Sequence, residues 1–346
     1  MQIRTRVMAS AVASIVALGT VAGVAAQSPE PAAQDDLTVG FSIYSFATPY
    51  GKGVEQGALD AGTDLGVQVT SAGTPGFDLV ELGTIIESQS AAGAAGLVAP
   101  APEQIAVVLG GLGKPVATFD QRSPTLDTLC VTQASRESGR VLGREIVRLA
   151  GGPEATGKAL LGVCVPGLNI LEERIEGVRE GLAEAPGIVI NDTFGTEVEP
   201  SRNLPIWEQQ LLANPDATIM VGSCSTDTVS VGKVNAANDL RLITGGYDVT
   251  PETLAEVQQG HTAVTIGQGT YVQGYLTVRA VVDSLRSGEP VPSGWIDSGT
   301  ELVTADNVDT YLGFFAGEGT TPREHYATQV EGDYVALIRP LAEQNQ

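Results

Sequence analysis

Cysteine, histidine and positive charge are all scarce in this chain. Three cysteines in 346 residues exclude a disulfide-scaffolded fold. Their odd number lets Cys130, Cys164 and Cys224 form at most one internal bridge. The two histidines, His261 and His325, sit in no metal-ligand spacing, so nothing marks a metal site. Nineteen Lys and Arg face 41 Asp and Glu, a net charge of −22 and the wrong sign for nucleic-acid binding. The acid excess serves solubility and argues against steering of anionic ligands. There is no nucleophile elbow and no phosphate loop. Gly110-Gly111-Leu112-Gly113 precedes a strand pattern rather than joining strand to helix, so it is no dinucleotide fingerprint.

The chain opens with Arg4 and Arg6, then an uncharged stretch from Val7 to Val24 and small residues at Val24-Ala25-Ala26. This pattern predicts a signal peptide over 1–26, cleaved before Gln27; retention as an anchor is the alternative. No cysteine adjoins the junction for lipid attachment. Residues 27–36 read as a polar linker. No later run is long and apolar enough to span a bilayer, so the mature chain is expected to be soluble and extracytoplasmic, periplasmic or secreted. Loss of Arg4 and Arg6 takes its net charge to −24. A chain this long is expected to split into two lobes.

Short apolar runs alternate with helical patterns. Strands are expected at Leu37–Ile43, Val67–Ser71, Gly96–Ala99, Pro115–Phe119 and Leu129–Thr132, with helices between. The rhythm restarts with a helix at Ser135–Ala150 and strands at Ala159–Val163, Ile188–Asn191, Ala217–Val221, Leu242–Tyr247 and Thr262–Ile266. Continuous rather than alternating apolar strands indicate parallel sheets covered on both faces. The fold class is α/β, with two doubly wound parallel-sheet lobes. Such sheets bind ligands beyond the carboxyl ends of their strands.

Six segments fall in a telling order. They are Thr48-Pro49-Tyr50, Thr118-Phe119-Asp120-Gln121, Glu173-Arg174-Ile175-Glu176-Gly177, Leu211-Leu212-Ala213-Asn214-Pro215-Asp216, Gly245-Gly246-Tyr247-Asp248 and Thr265-Ile266-Gly267-Gln268. In order and spacing, residues 37–300 resemble the periplasmic sugar-binding proteins of ABC importers, ribose-binding type. The resemblance implies the type I periplasmic binding protein fold, its lobes joined by a three-strand hinge. It puts the N-terminal lobe at 37–132 plus 269–293 and the C-terminal lobe at 133–268 plus 294–303. Residues 304–346 form a C-terminal extension that it does not interpret.

The resemblance also implies ligand positions. Tyr50 matches an aromatic that stacks on the apolar face of a sugar. Thr48 stands at a polar position, and Tyr44 closes the first strand. Asp120 matches a carboxylate that accepts sugar hydroxyls. Gln121 holds a position usually taken by Arg, with Arg122 one place later. Glu172 holds the other usual arginine position. Thr226, Asp227, Asp248 and Gln268 match polar contacts of the C-terminal lobe. With the arginines displaced, a neutral sugar or polyol is favoured over an acid. Capping of the following turns is the alternative role for Asp120 and Asp248. Trp207 reads as packing, and Trp295 fits either role. In the strand order 2-1-3-4-5 usual for such folds, Cys164 and Cys224 end neighbouring strands, so a disulfide between them is expected; three buried thiols are the alternative.

The implied function is capture of a sugar or polyol by hinge closure and delivery to an ABC permease, by a monomer without cofactor, metal or catalysis. A ligand-presenting module for a membrane signalling receptor and a secreted hydrolase are the alternatives.

Overall fold

The computed structural model describes residues 37–44, 46–238 and 241–343; the expected signal peptide and linker lie outside these. Apolar runs too short for helices become buried strands, and the segments between them are capped into helices. The first half contains β1 (Thr38–Ile43), α1 (Pro49–Leu65), β2 (Gln68–Gly73), α2 (Leu79–Ala91), β3 (Gly96–Pro100), α3 (Glu103–Gly111), β4 (Val116–Phe119) and β5 (Leu129–Thr132). Local chemistry sets the bounds. The Thr48 side chain accepts from Gly51 N, Pro49 occupies the first helical turn, and Gly66 ends α1 in the left-handed conformation. Asp78 caps α2 through Val80 N and Glu81 N.

The second half contains α4 (Ser135–Leu149), β6 (Thr156–Val163), α5 (Asn169–Leu182), β7 (Gly187–Ile190), β8 (Phe194–Gly195), α6 (Pro200–Ala213), β9 (Ile219–Gly222), α7 (Ser225–Ala237), β10 (Ile243–Tyr247), α8 (Pro251–Gln258) and β11 (Val264–Gly267). Beyond them come α9 (Thr270–Ser287), β12 (Gly294–Asp297), β13 (Glu301–Val303), α10 (Val308–Ala316), α11 (Pro322–His325) and α12 (Ala327–Glu331).

The strands form two sheets, ordered β12-β5-β4-β3-β1-β2 and β13-β11-β10-β9-β6-β7, with β8 paired to β6. Pairing is parallel throughout except where β13 runs antiparallel to β11. All residues of β3, β4, β5, β9 and β11 are buried, as continuous apolar strands require. Apolar clusters line the sheets, one joining α1 and α9 to β1 and another joining α4 and α5 to β6. Among the described residues no helix is long and apolar enough to cross a membrane.

The chain passes between the sheets at 133–134, 268–269 and 298–300. The third passage corrects the expected boundary after 293: β12 pairs with β5, so residues 294–297 still belong to the first sheet. Trp295 is therefore a buried strand residue, bridged through its backbone to Arg339. The three passages are laced together. The Gln133 side-chain amide donates to Gly267 O at 3.1 Å and Gly299 O at 3.2 Å, and Ser298 Oγ donates to Gln268 O at 2.8 Å. At Gly269, φ is +56° and a Cβ would lie 2.1 Å from Ser298 O, so only glycine fits.

The segment after β13 packs on both halves. Val308 and Tyr311 of α10 join Leu254 and Val257 of α8, beside the second sheet. Tyr326, Val330 and Tyr334 then enter the core of the first sheet.

Candidate functional site

Parallel strands all end on one edge of their sheet, so the loops after β1, β4, β6, β9, β10 and β11 present side chains toward one region. The loops after β4 and β10 share a special backbone. Asp120 and Asp248 follow strands at equivalent places in the two sheet orders, and both have positive φ, +58° and +76°. Asp tolerates this left-handed conformation better than most residues, and such conformations cluster at functional sites. Three threonines pin the two turns. Thr132 Oγ1 donates to Asp120 O at 2.8 Å, and Thr253 and Thr265 donate to Asp248 O at 2.7 and 2.9 Å.

Around Asp120 the structure brings together Tyr44 and Gln121. Tyr44 Oη donates to Asp120 Oδ2 and accepts from Gln121 Nε2 at 2.9 Å. All three are buried. Burial pushes the Asp120 carboxyl above its usual range, against the pull of the Tyr44 hydrogen bond and the Arg174 charge. Burial, then the Asp120 charge, hold the Tyr44 phenol well above its ordinary value. Phe77, from the loop after β2, lies 4.4 Å from the Tyr44 ring and is exposed.

Around Asp248 the structure brings together Gln268 and Arg174. Gln268 Nε2 donates to Asp248 Oδ1, and Ser225 N donates to Oδ2 at 3.1 Å. Arg174 Nη2 donates to Gln268 Oε1 at 2.9 Å and Nη1 to Ser223 O at 3.2 Å. Its guanidinium lies 4.3 Å from the Tyr247 ring centroid. Among the described residues Arg174 Nε, though buried, meets no hydrogen-bond partner. Tyr50 stands near both aspartates: its phenol donates to Gln273 Oε1 at 3.2 Å, and the charges of Asp120 and Asp248, after burial, hold it un-ionised.

Glu172, Asp227 and Thr226, expected at ligand positions, bond elsewhere. Glu172 is exposed on the first turn of α5 and accepts from Gly167 N at 2.9 Å. The buried arginine of the region is Arg174, one helical half-turn away. Asp227 is fully buried and saturated by protein donors: Thr196 Oγ1 at 2.6 Å, Asn203 Nδ2 at 2.8 Å, Trp207 Nε1 at 3.0 Å and Ser223 N at 3.0 Å. It organises the turn after β9 and has no lone pair left for a ligand. Thr226 spends its hydroxyl on Val198 O at 3.0 Å. Arg122 donates to Leu341 O at 3.1 Å and lines a cavity together with Asp120 and Gln121. Thr48 caps α1 beside Tyr50. Cys164 and Cys224 are joined by a disulfide at the ends of neighbouring β6 and β9, while Cys130 is a buried free thiol.

Arg174 and Phe77 were missed in the sequence reading. The first lies inside the motif Glu173-Arg174-Ile175-Glu176-Gly177, two residues from Glu172. The second carries no sequence signal beyond a lone aromatic in a loop.

Residues 39–290 match the family described as the periplasmic binding protein domain. The chain belongs to that family. A xylose/arabinose-binding protein of Sulfolobus acidocaldarius is 27% identical over 189 residues, which cover 53% of this chain and 46% of the relative. The chain thus spans about half the length of the curated relative it matches. Among solved structures, a sugar-binding protein of a sugar ABC transporter from Bacillus halodurans superposes with a TM-score of 0.73 at 22% identity, covering 79% of this chain and 99% of that one. A solute-binding protein of an ABC transporter from Burkholderia graminis, in complex with D-arabinose, gives 0.71 at 25% identity, covering 80% and 97%. One from Actinobacillus succinogenes with bound D-allose gives 0.73 at 16%, covering 80% and 100%. These likenesses match the expected α/β type I architecture, and membership implies an extracytoplasmic setting.

Proposed function

We propose that this protein is an extracytoplasmic solute-binding protein that captures a neutral sugar or polyol between two lobes and delivers it to an ABC importer. It acts as a monomer, by binding and not by turnover, after loss of the 1–26 signal peptide. The first sheet with α1 and α9 is one lobe and the second sheet with its helices the other, hinged at 133–134, 268–269 and 298–300.

The observation that carries this reading is the pairing of two positive-φ aspartates at equivalent strand ends, each held by a fixed amide or phenol. A carboxylate with a free lone pair accepts hydroxyls, and a side-chain amide both donates and accepts. Tyr50 offers a ring face for the sugar's C–H surface. In this arrangement Asp120, Tyr44 and Gln121 grip the ligand from the first lobe, and Asp248, Gln268 and Arg174 from the second. Closure is favoured because only the closed form makes both sets of contacts. Arg174 spends its hydrogen bonds on Gln268 and Ser223 O and feels the Asp120 charge, which supports an uncharged polyhydroxyl ligand over an acid. The relatives named for arabinose, xylose and allose support the ligand class.

A thermal-shift screen over pentoses, hexoses, deoxysugars and polyols tests the reading, because a ligand that binds only the native state raises the melting temperature. At least one neutral sugar or polyol is expected to shift it; a flat panel rejects the ligand class.

A further inference from the structure

Aromatic residues make up only 5% of this chain, 17 in all, yet six of them line a single cavity. They are Tyr50, Tyr271, Tyr311, Phe314, Phe315 and Tyr326, around a volume of about 200 Å³. Asp248 and Gln268 also face this cavity, so it adjoins the candidate sugar site. Four of the six aromatics, with Pro322, come from the segment after Val303, beyond the 39–290 family match.

We propose that this segment builds a second ring subsite next to the sugar site, so that the preferred ligand is a glycoside carrying two rings. The proposal rests on the carbohydrate reading above and extends it. The cavity is below the roughly 300–1,000 Å³ typical of drug-sized ligand pockets, which suits one further ring and not a longer chain. Six aromatic rings in its wall, with Pro49, Pro322 and Val249, suit the apolar side of a sugar or an aryl group.

The wall is rigid. Tyr326 Oη donates to Glu301 Oε2 at 2.7 Å, His325 Nε2 meets Glu301 Oε1 at 2.7 Å, and Tyr271 Oη donates to Asp60 Oδ2 at 2.8 Å. Tyr326 stacks on Tyr271 at 5.9 Å with an interplanar angle of 11°. The segment is held at both ends: α10 packs on α8, while Arg279 Nη1 donates to Val330 O at 2.7 Å and Gly332 O at 2.8 Å. Rings so fixed lose little entropy on binding. Phe315 stands apart. It is 45% exposed and faces the cavity, a surface ring that the fold itself does not consume.

The test is isothermal titration of the full mature chain and of Phe315→Ala with a panel of neutral monosaccharides, the disaccharides built from them, and their p-nitrophenyl glycosides. One two-ring ligand is expected to bind about tenfold more tightly than its parent monosaccharide, as one added stacking contact provides. Phe315→Ala is expected to erase that gain with the monosaccharide affinity and melting temperature unchanged. Gain with disaccharides names a sugar as the second ring; gain with nitrophenyl glycosides names an aryl group. Monosaccharide binding with no two-ring gain, or a gain that survives in Phe315→Ala, overturns the subsite and leaves the carbohydrate reading intact. No binding by any member of the panel overturns the carbohydrate reading and the subsite with it.

Discussion

Asp120 shows how a single buried carboxyl sets the behaviour of the site. Its pKa is raised chiefly by burial. A carboxyl raised in the folded state favours the fold while protonated, and that contribution fades as pH rises through the raised value. The ionised form offers ligand hydroxyls more and stronger acceptor sites than the protonated one. Ligand affinity is therefore expected to fall as pH drops through the Asp120 pKa, while the unliganded protein gains stability over the same interval. Titrations from pH 4 to 7 check the first and melting temperatures the second; affinity flat in pH removes Asp120 from the contact set. Burial likewise pushes the Cys130 thiol to about 12. With Cys130 only 1% exposed, the native protein is expected to resist iodoacetamide at pH 8, and to yield one labelled cysteine when unfolded without reductant. Three labelled cysteines contradict the Cys164–Cys224 bridge. At this scale the sequence was legible where a residue's place follows from its own strand, as for Asp120 and Asp248 at the ends of β4 and β10. It was opaque where partners lie far along the chain. Asp227 looks like a ligand carboxylate until Thr196, Asn203 and Trp207 are seen to occupy it. Glu172 and Arg174 sit two residues apart on a helix, on nearly opposite faces, so a small error in register exchanged an exposed acid for a buried base.

Helix pairs carry much of the packing between elements, and glycines set how closely they approach. A Cβ at Gly274 in α9 would lie 1.9 Å from Val54 O in α1, and one at Gly177 in α5 would lie 2.0 Å from Arg136 O in α4. Ala in a helix interior normally gains about 1 kcal/mol over Gly. Here the backbone collision outweighs that gain. Gly274→Ala is expected to destabilise by about 1–3 kcal/mol in urea unfolding, the usual cost of overpacking. An unchanged or raised midpoint contradicts the close packing of α1 on α9. The same glycines were visible in the sequence, but not what they face. Strand existence was legible from apolar runs. Strand partnership was less so: four-residue β12 reads the same whichever sheet receives it, and only its pairing with β5 puts the third passage at 298–300.

Across the whole molecule, two sheets repeat the same strand order; they differ at the last strand, parallel for β12 and antiparallel for β13, and in β8, which pairs with β6 in the second sheet alone. That repetition has no counterpart in sequence identity between the halves. It arises because short apolar strands alternating with helices have few right-handed, unknotted ways to pack. The three passages are tied together: the Gln133 amide reaches Gly267, at the end of β11, and Gly299, and Ser298 bonds Gln268 O. Gly269→Ala, placing a methyl against Ser298 O, is expected to lower ligand affinity through the passages and not through any contact with ligand. Titration with the same sugar checks this, and wild-type affinity in that variant argues against a hinge role. The segment after Val303 was the least legible part, since no motif announces that it contacts both halves.

The central claim is that a neutral sugar or polyol is held between Asp120 and Asp248. Its most direct measurement is calorimetric titration of the best hit from the thermal screen into the wild-type chain and into Asp248→Ala. Saturable one-to-one binding to the wild type is expected, and none to a variant that melts within a few degrees of it. Undiminished affinity in the folded variant removes Asp248 from the site.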